Sequence, residues 1–308
     1  MARGESELDA GDGEPHVDHG DAGTPPADAA DHDADLVFDP EWAMWRLPPA
    51  VPGAADYSAL GDVVRDETTQ LEWLVDPLEP RSRAEAASAC AALQGAGGGF
   101  RLPTRIELLS LVDYDPEGDG INPFVFGASA GTEEAWTSSS AALSPAKAWF
   151  VGFATGESAM ADASMPKVAR CVRGSASKPR SHYALDGDIA RDLWTGLEWR
   201  RERESHEPLS LADALLACDA AAGGGWRVPS ARELESLVDV RAATAPTWNR
   251  DAFGSAASDA PPVFWTLTKT RESGASAAYR VVDFRPTREG TTLGKAEFAY
   301  VRCVSGPR

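Results

Sequence analysis

The chain has 308 residues, with 48 acidic against 29 basic side chains, a formal net charge of −19, and 43% apolar residues. That length fits two domains, each long enough to bury its own core. No stretch approaches roughly eighteen apolar residues, so no transmembrane segment is expected, and the acidic balance opposes a nucleic-acid partner, which needs a basic face.

The charge is uneven along the chain. Up to Glu41 there are thirteen acids against Arg3 alone, in a background of Ala, Gly and Pro. Such a composition cannot bury enough apolar surface to offset ordering entropy. Residues 1–41 therefore read as a disordered acidic tether. His16, His19 and His32 lie among its acids; weak metal capture is one reading, and a solvated low-complexity tail is the preferred one. Met1 is followed by ARGESELDAGDGE, which lacks the apolar core of a signal peptide.

Beyond the tether the chain says the same thing twice. Tyr57 opens YSALGDVVRDETTQLEW, and Tyr183, 126 residues later, opens YALDGDIARDLWTGLEW. GGGFRLPTRIELLSLVD, ending at Asp113, returns as GGGWRVPSARELESLVD, ending at Asp239. A period of this length is a whole domain rather than a solenoid repeat. Val63, Val64, a turn over 66–70, Leu71 and Trp73 read as a β-hairpin. A helix follows over about 81–93 and 210–221, stopped by Gly97–Gly99 and Gly223–Gly225. Pro103 and Pro229 then force an extended residue before them. Thr104 and Ser230 act as N-caps, and Glu107 and Glu233 complete a capping box in each copy. Leu108, Leu111 and Val112, and Leu234, Leu237 and Val238, carry helical spacing behind the caps. A long irregular stretch leads to AWTSSS around Trp136 and VFWTLT around Trp265, then to strand-like runs at 148–153 and 278–284 and a terminal RCV strand. Each copy is α+β, with two helices, short antiparallel strands and long ordered loops. The boundaries are 42–174 for the first copy and 181–308 for the second, with a linker at 175–180 that leaves them close but not fused.

Cys90, Cys171, Cys218 and Cys303 fall two per copy. Four cysteines allow three pairings; the repeat favours Cys90–Cys171 and Cys218–Cys303, the alternative being four small buried thiols. No CxxC spacing suggests a metal. Disulfides imply an oxidising compartment, so the expected location is extracellular or in the cell envelope, with an export signal upstream of the displayed start.

The ordered motifs DLWTGLEW, RLPTRIELLSLVD, AWTSSS, AWFVGF and RCVRG resemble the domain family named for the C-terminal region of the Legionella collagen-like adhesin. The resemblance covers about 56–174 and 183–306. It implies a C-type-lectin-like fold in each copy, related to formylglycine-generating and sulfatase-modifying domains, with the cysteine pair tying the first helix to the last strand. It also implies exported, adhesin-like proteins, and it carries over no catalytic residues. The chain departs from the pattern at Thr69, Gln70 and Leu71, where TGL is usual, and with VPS and WTL in the second copy.

Candidate chemistry is sparse. Asp113, Asp115, Glu117 and Asp119 alternate in an acidic loop with Gly118 and Gly120, and hard Ca²⁺ takes such oxygen ligands. The loop lacks the closing Glu of an EF-hand and does not recur, so the expectation is no cofactor, with Ca²⁺ as the one metal to consider. Arg101 and Arg227, Asp66 and Asp192, and Glu107 and Glu233 recur, and read as caps, turns and ion pairs. Trp73 and Trp199 read as core; Trp149, Tyr279 and Arg280 are the candidate ligand contacts, since exposed aromatics stack on sugar faces. Ser138–Ser140 and Thr266–Thr268 have no repeated His beside them to activate a nucleophile. The expectation is a non-enzymatic binding or adhesion protein that recognises a surface glycan or protein through loops at 113–149 and 239–279. The alternatives are an enzyme related to sulfatase-modifying domains and a structural envelope module without a small ligand.

Overall fold

The computed structural model describes residues 36–37, 39–94, 97–174, 178–179, 181–254, 262–270, 278–287, 291–294 and 297–306. The acidic segment 1–35, with its three histidines, lies outside the described residues, as do 175–177 and 180 of the linker. Residues 39–41, which composition assigned to the tether, instead pack on the fold. The Ser139 hydroxyl donates to the Glu41 carboxylate at 2.6 Å, and Asp39 pairs with Arg241 at 2.9 Å.

The first repeat runs β1 (Leu36–Val37), β2 (Tyr57–Ala59), β3 (Val63–Asp66), β4 (Glu72–Leu74), β5 (Leu78–Arg81), α1 (Arg83–Ala91), α2 (Arg105–Ser110) and α3 (Pro123–Phe126). It continues through β6 (Glu134–Ser140), β7 (Lys147–Gly152), β8 (Glu157–Asp162), β9 (Lys167–Ala169) and β10 (Val172–Arg173). β11 (Lys178–Pro179) pairs back onto β1. The second repeat runs β12 (Tyr183–Asp186), β13 (Ile189–Asp192), β14 (Glu198–Arg200), α4 (Leu211–Asp219), α5 (Ala231–Glu235), α6 (Arg250–Phe253), β15 (Val263–Lys269), β16 (Ala278–Asp283), β17 (Thr291–Gly294) and β18 (Val304–Ser305). Each repeat is α+β. Sheets ordered β10-β4-β3-β2 and β5-β9-β6-β7-β8 recur as β12-β13-β14-β18 and β15-β16-β17. The predicted hairpins are meanders, and their registers match: Tyr57 opposes Asp66, and Tyr183 opposes Asp192. The last strand returns beside the meander, Val172 opposite Trp73 and Val304 opposite Trp199.

The capping boxes form as the sequence predicts. Thr104 and Ser230 accept from the backbone N–H of Glu107 and Glu233, whose carboxylates reach back to the cap N–H groups at 2.8 and 2.7 Å. These two donors would otherwise be orphaned at a buried helix start. Among the described residues each repeat holds three α-helices rather than the expected two. The third is one turn long, capped by Asn122 or Asn249, whose side-chain oxygen accepts from Phe124 N–H or Ala252 N–H. Four residues are too few to show helical periodicity in sequence.

Cys90 and Cys171 are joined at 2.01 Å, and Cys218 and Cys303 at 1.91 Å. Each bond fastens α1 or α4 to the strand segment that closes the repeat.

The repeats are fused, contrary to the expectation of close but separate domains. Trp194 and Ala231 of the second repeat belong to the core of the first, with Trp42, Met44 and Trp45. Trp149 of the first repeat belongs to the core of the second, with Trp199, Trp248 and Phe264. His182 lies against Trp194 at 3.8 Å and meets the edge of Trp42 at 5.0 Å. The buried Arg232 guanidinium donates to the carbonyls of Pro48, at 2.8 Å, and of Pro49 and Val112. Burial pulls its pKa down. Carbonyl acceptors on both amino groups offset part of the cost of burying this charge, while Nε has no hydrogen-bond partner among the described residues; Arg232 thereby ties the lead-in loop to α5.

Candidate binding cleft

The three candidate ligand contacts do not face solvent. Trp149 is buried in the second repeat's core. Tyr279 is buried beside Trp265 and the second disulfide. Arg280 is buried with its guanidinium 3.7 Å from Glu157 of the first repeat and 5.5 Å from the Tyr114 ring. Trp149 and Arg280 thus hold the repeats together, and alternation in a strand could not reveal that the outer face of one repeat is the inner face of a pair.

The candidate Ca²⁺ loop is likewise built from internal contacts. Asp113 accepts from Asp115 N–H at 2.8 Å, and Asp115 accepts from Glu117 N–H at 3.0 Å. These are Asx turns, the usual alternative use of alternating acids. A Cβ on Gly118 would sit 2.5 Å from the Asp113 carboxylate, so the glycine is dictated by the turn. Asp113, Asp115, Glu117 and Asp119 do not converge, and among the described residues no three carboxylate, imidazole or thiol groups are placed to share a cation.

A large opening lies elsewhere. A cleft of about 1080 Å³ runs between the repeats. One wall is the lead-in loop from Met44 to Val51, the turn from Glu67 to Gln70, and Tyr114, Asp115 and Pro116; the other is Arg227 to Glu233 with Leu267, Thr268 and Lys269. The 67–70 turn is set by Asp66, which accepts from Thr68 N–H at 2.8 Å and Thr69 N–H at 3.0 Å. Burial raises the Asp66 pKa against those hydrogen bonds. Gln70 ends the turn at φ 61°, where the second repeat has Gly196 at φ 79°.

The second wall is the capping box itself. Arg227 grips Glu233 with both amino groups, at 2.8 and 2.5 Å. Arg101 and Glu107 make the same fork in the first repeat at 2.7 and 2.6 Å. In both copies the strand behind supplies a hydroxyl: Ser139 accepts from Arg105 N–H at 2.9 Å, and Thr268 accepts from Ala231 N–H at 2.8 Å.

Cations collect at this cleft. Arg46, Lys178 and Lys269 all line it, Arg46 and Lys269 on the exposed surface, and none forms an ion pair among the described residues. Val51 and Leu267, 50% and 38% exposed, add aliphatic surface. Only Tyr114, Leu267, Thr268 and neighbouring positions fall in the loop spans 113–149 and 239–279. Arg46 and the 67–70 turn lie outside them. The lead-in WAMWRLPP was the available signal: three buried aromatic or thioether side chains anchor it, and the one charge in it, Arg46, is left outside.

All ten tryptophans are described and all are buried. Among the described residues the exposed aromatics are Phe124 and Phe298, at 91% and 65%. Neither lines the cleft.

No match is found among curated proteins. The Lcl C-terminal domain family matches residues 62–173 and again 188–305. The two matched spans coincide with the two repeats, each closed by its own disulfide, and the chain therefore belongs to the Lcl C-terminal domain family as a tandem pair.

Proposed function

We propose that the chain is a non-enzymatic binding or adhesion protein of the cell exterior or envelope, recognising a surface polymer or protein through the cleft between its repeats. The observation that carries this reading is the cleft's composition: Arg46, Lys178 and Lys269, which form no ion pair among the described residues, and exposed aliphatic side chains, with Glu67 and Asp115 also in the lining, on a chain of net charge −19. Cations at a concave surface that take no part in the fold's ion pairs point to recognition rather than folding. The adhesin-like family, the two disulfides and the absence of a membrane-spanning helix among the described residues fit an exported protein. All four cysteines are consumed in disulfides, which weakens the reading as a thiol enzyme related to sulfatase-modifying domains.

The test is adhesion. Microspheres coated with the oxidised protein are mixed with intact bacterial cells, and attachment is counted against albumin-coated spheres. Saturable attachment that falls in an Arg46→Glu/Lys269→Glu variant is the expected result. Attachment no greater than albumin's, across cells with native, protease-treated and glycosidase-treated surfaces, would overturn the reading.

A further inference from the structure

The two capping boxes share the same cap, the same Arg–Glu fork and the same strand hydroxyl, yet among the described residues only the first is covered. On the first repeat, the Thr104 hydroxyl donates to the Pro40 carbonyl at 2.6 Å, and the Ser139 hydroxyl donates to the Glu41 carboxylate at 2.6 Å. Arg101 and Arg105 add attraction to the Glu41 charge. An acidic stretch of this chain, Asp39, Pro40 and Glu41, is therefore laid across the first box as a peptide ligand would be. The equivalent groups on the second repeat are Ser230, Thr268 and Arg227, and all three line the open cleft. There the Ser230 hydroxyl turns back on its own Glu233 at 2.9 Å. The Thr268 hydroxyl accepts from Ala231 N–H, while its own proton has no acceptor among the described residues.

We propose that the second repeat's capping box is a docking site for an extended acidic peptide segment of a partner protein, held as residues 39–41 are held on the first. This rests on the binding reading above and names the ligand of that same cleft. A backbone carbonyl takes the Ser230 proton, and a carboxylate takes the Thr268 proton in a cleft that Lys269 and Arg46 also line. Charge-assisted hydrogen bonds of this type are about twice as strong as neutral ones. The rest of the lining favours a peptide over a polyuronate. A sugar ring calls for an exposed aromatic face, and Trp45 and Tyr114 in the cleft walls are buried. Val51 and Leu267 instead offer aliphatic contact, which peptide side chains between the acids can cover.

The probe is a fluorescein-labelled octapeptide of this chain's own residues 36–43, LVFDPEWA, titrated with the whole oxidised protein and read by anisotropy. Saturable one-to-one binding is expected. The Asp39→Asn/Glu41→Gln form of the peptide should bind about tenfold more weakly, as should the unaltered peptide to Lys269→Glu and to Thr268→Val protein. Lys269 is on the surface, so that variant decides the matter if Thr268→Val impairs folding. Equal affinity for the neutral peptide, unchanged affinity in Lys269→Glu, or no binding at all would overturn the inference. Oligogalacturonate displacing the peptide at equal charge concentration would overturn the peptide assignment. Microsphere attachment that depends on Arg46 and Lys269 without any peptide binding sinks this inference and leaves the adhesion reading standing. Peptide binding without attachment does the reverse.

Discussion

Arg105 of α2 and Glu235 of α5 form an ion pair of 2.6 Å between the two repeats, with side chains 1% and 14% exposed. A second amino group of Arg105 donates to the Glu235 carbonyl at 3.0 Å. Removing one partner of a buried pair costs about 3–5 kcal/mol; the Glu235 carbonyl and the Ser158 hydroxyl, at 3.3 Å, still face Arg105 once the Glu235 carboxylate is gone, which puts this loss at the lower end. Glu235→Ala is therefore expected to lower the urea midpoint strongly, while Arg105→Met/Glu235→Met loses much less. The same pair, with the shared cores, predicts one cooperative unfolding transition for both repeats. Tryptophan fluorescence and circular dichroism that give two separated transitions in the unaltered protein would contradict fusion of the repeats.

Stability should rise on mild acidification. Burial raises the carboxyl pKa values of Glu41, Asp66 and Glu133. A group with a raised native pKa binds its proton more tightly when folded, so its contribution is complete below the unfolded pKa and lost as pH rises through the native pKa. Glu72 runs the other way, because hydrogen bonds from Arg173 and Arg65 lower its pKa. Its contribution is present above the unfolded value and lost as pH falls through the native pKa. The unfolded values of 3.8 for Asp66 and 4.5 for the three glutamates separate the two effects. Thermal midpoints should climb as pH falls toward the unfolded glutamate value of 4.5, and the Glu72 contribution should be lost below it. Glu41→Gln should flatten the climb; an unchanged slope would mean that the Glu41 carboxyl does not titrate in this window.

What could be read from sequence was local. Thr104 and Glu107 satisfy each other across one helical turn, so the motif and its geometry coincide, and the same holds for Ser230 and Glu233. The duplicated cysteines were legible because each copy carries its own pair. The misread ligand contacts were non-local, whereas the acidic loop has a local explanation. Trp149 and Arg280 sit in strands whose outer face meets the other repeat, and no periodicity within one repeat reports that contact. Asp113 and Asp115 have the alternation of metal ligands, but one oxygen of each accepts from an N–H two residues ahead, in an Asx turn. The cleft was invisible for a related reason. Ser230 and Thr268 look identical in role to Thr104 and Ser139, and only the path of residues 39–41 covers one box and leaves the other open.

Each disulfide closes a long loop, with sequence separations of 81 and 85 residues. On chain-entropy grounds each contributes about 4–5 kcal/mol by restricting the unfolded chain. Cys90→Ala/Cys171→Ala and Cys218→Ala/Cys303→Ala should each lower stability by that order in urea. Non-reducing peptide mapping should recover the two within-repeat bonds; a cross-repeat bond would contradict the structure.

The last prediction concerns a residue under backbone strain. Gln70 is the one non-glycine among the described residues at positive φ, at 61°, and it occupies the turn position that Gly196 holds in the second repeat. A side chain in the left-handed region costs about 1–2 kcal/mol. Part of that is offset by the Gln70 side-chain amide, which donates to the Glu67 carbonyl at 2.7 Å at an exposed position. Gln70→Gly removes both the strain and this hydrogen bond, and adds entropy to the unfolded chain. The net expectation is a modest gain of about 0.5 kcal/mol, whereas Gly196→Gln should lose about 1 kcal/mol because its φ of 79° strains any side chain, although the space around it is open. A gain in Gln70→Gly accompanied by weaker binding at the cleft would show that the strained glutamine is kept for its place in the cleft wall. A gain with binding unchanged would mark Gln70 as a tolerated departure from the glycine that the second repeat holds at this position.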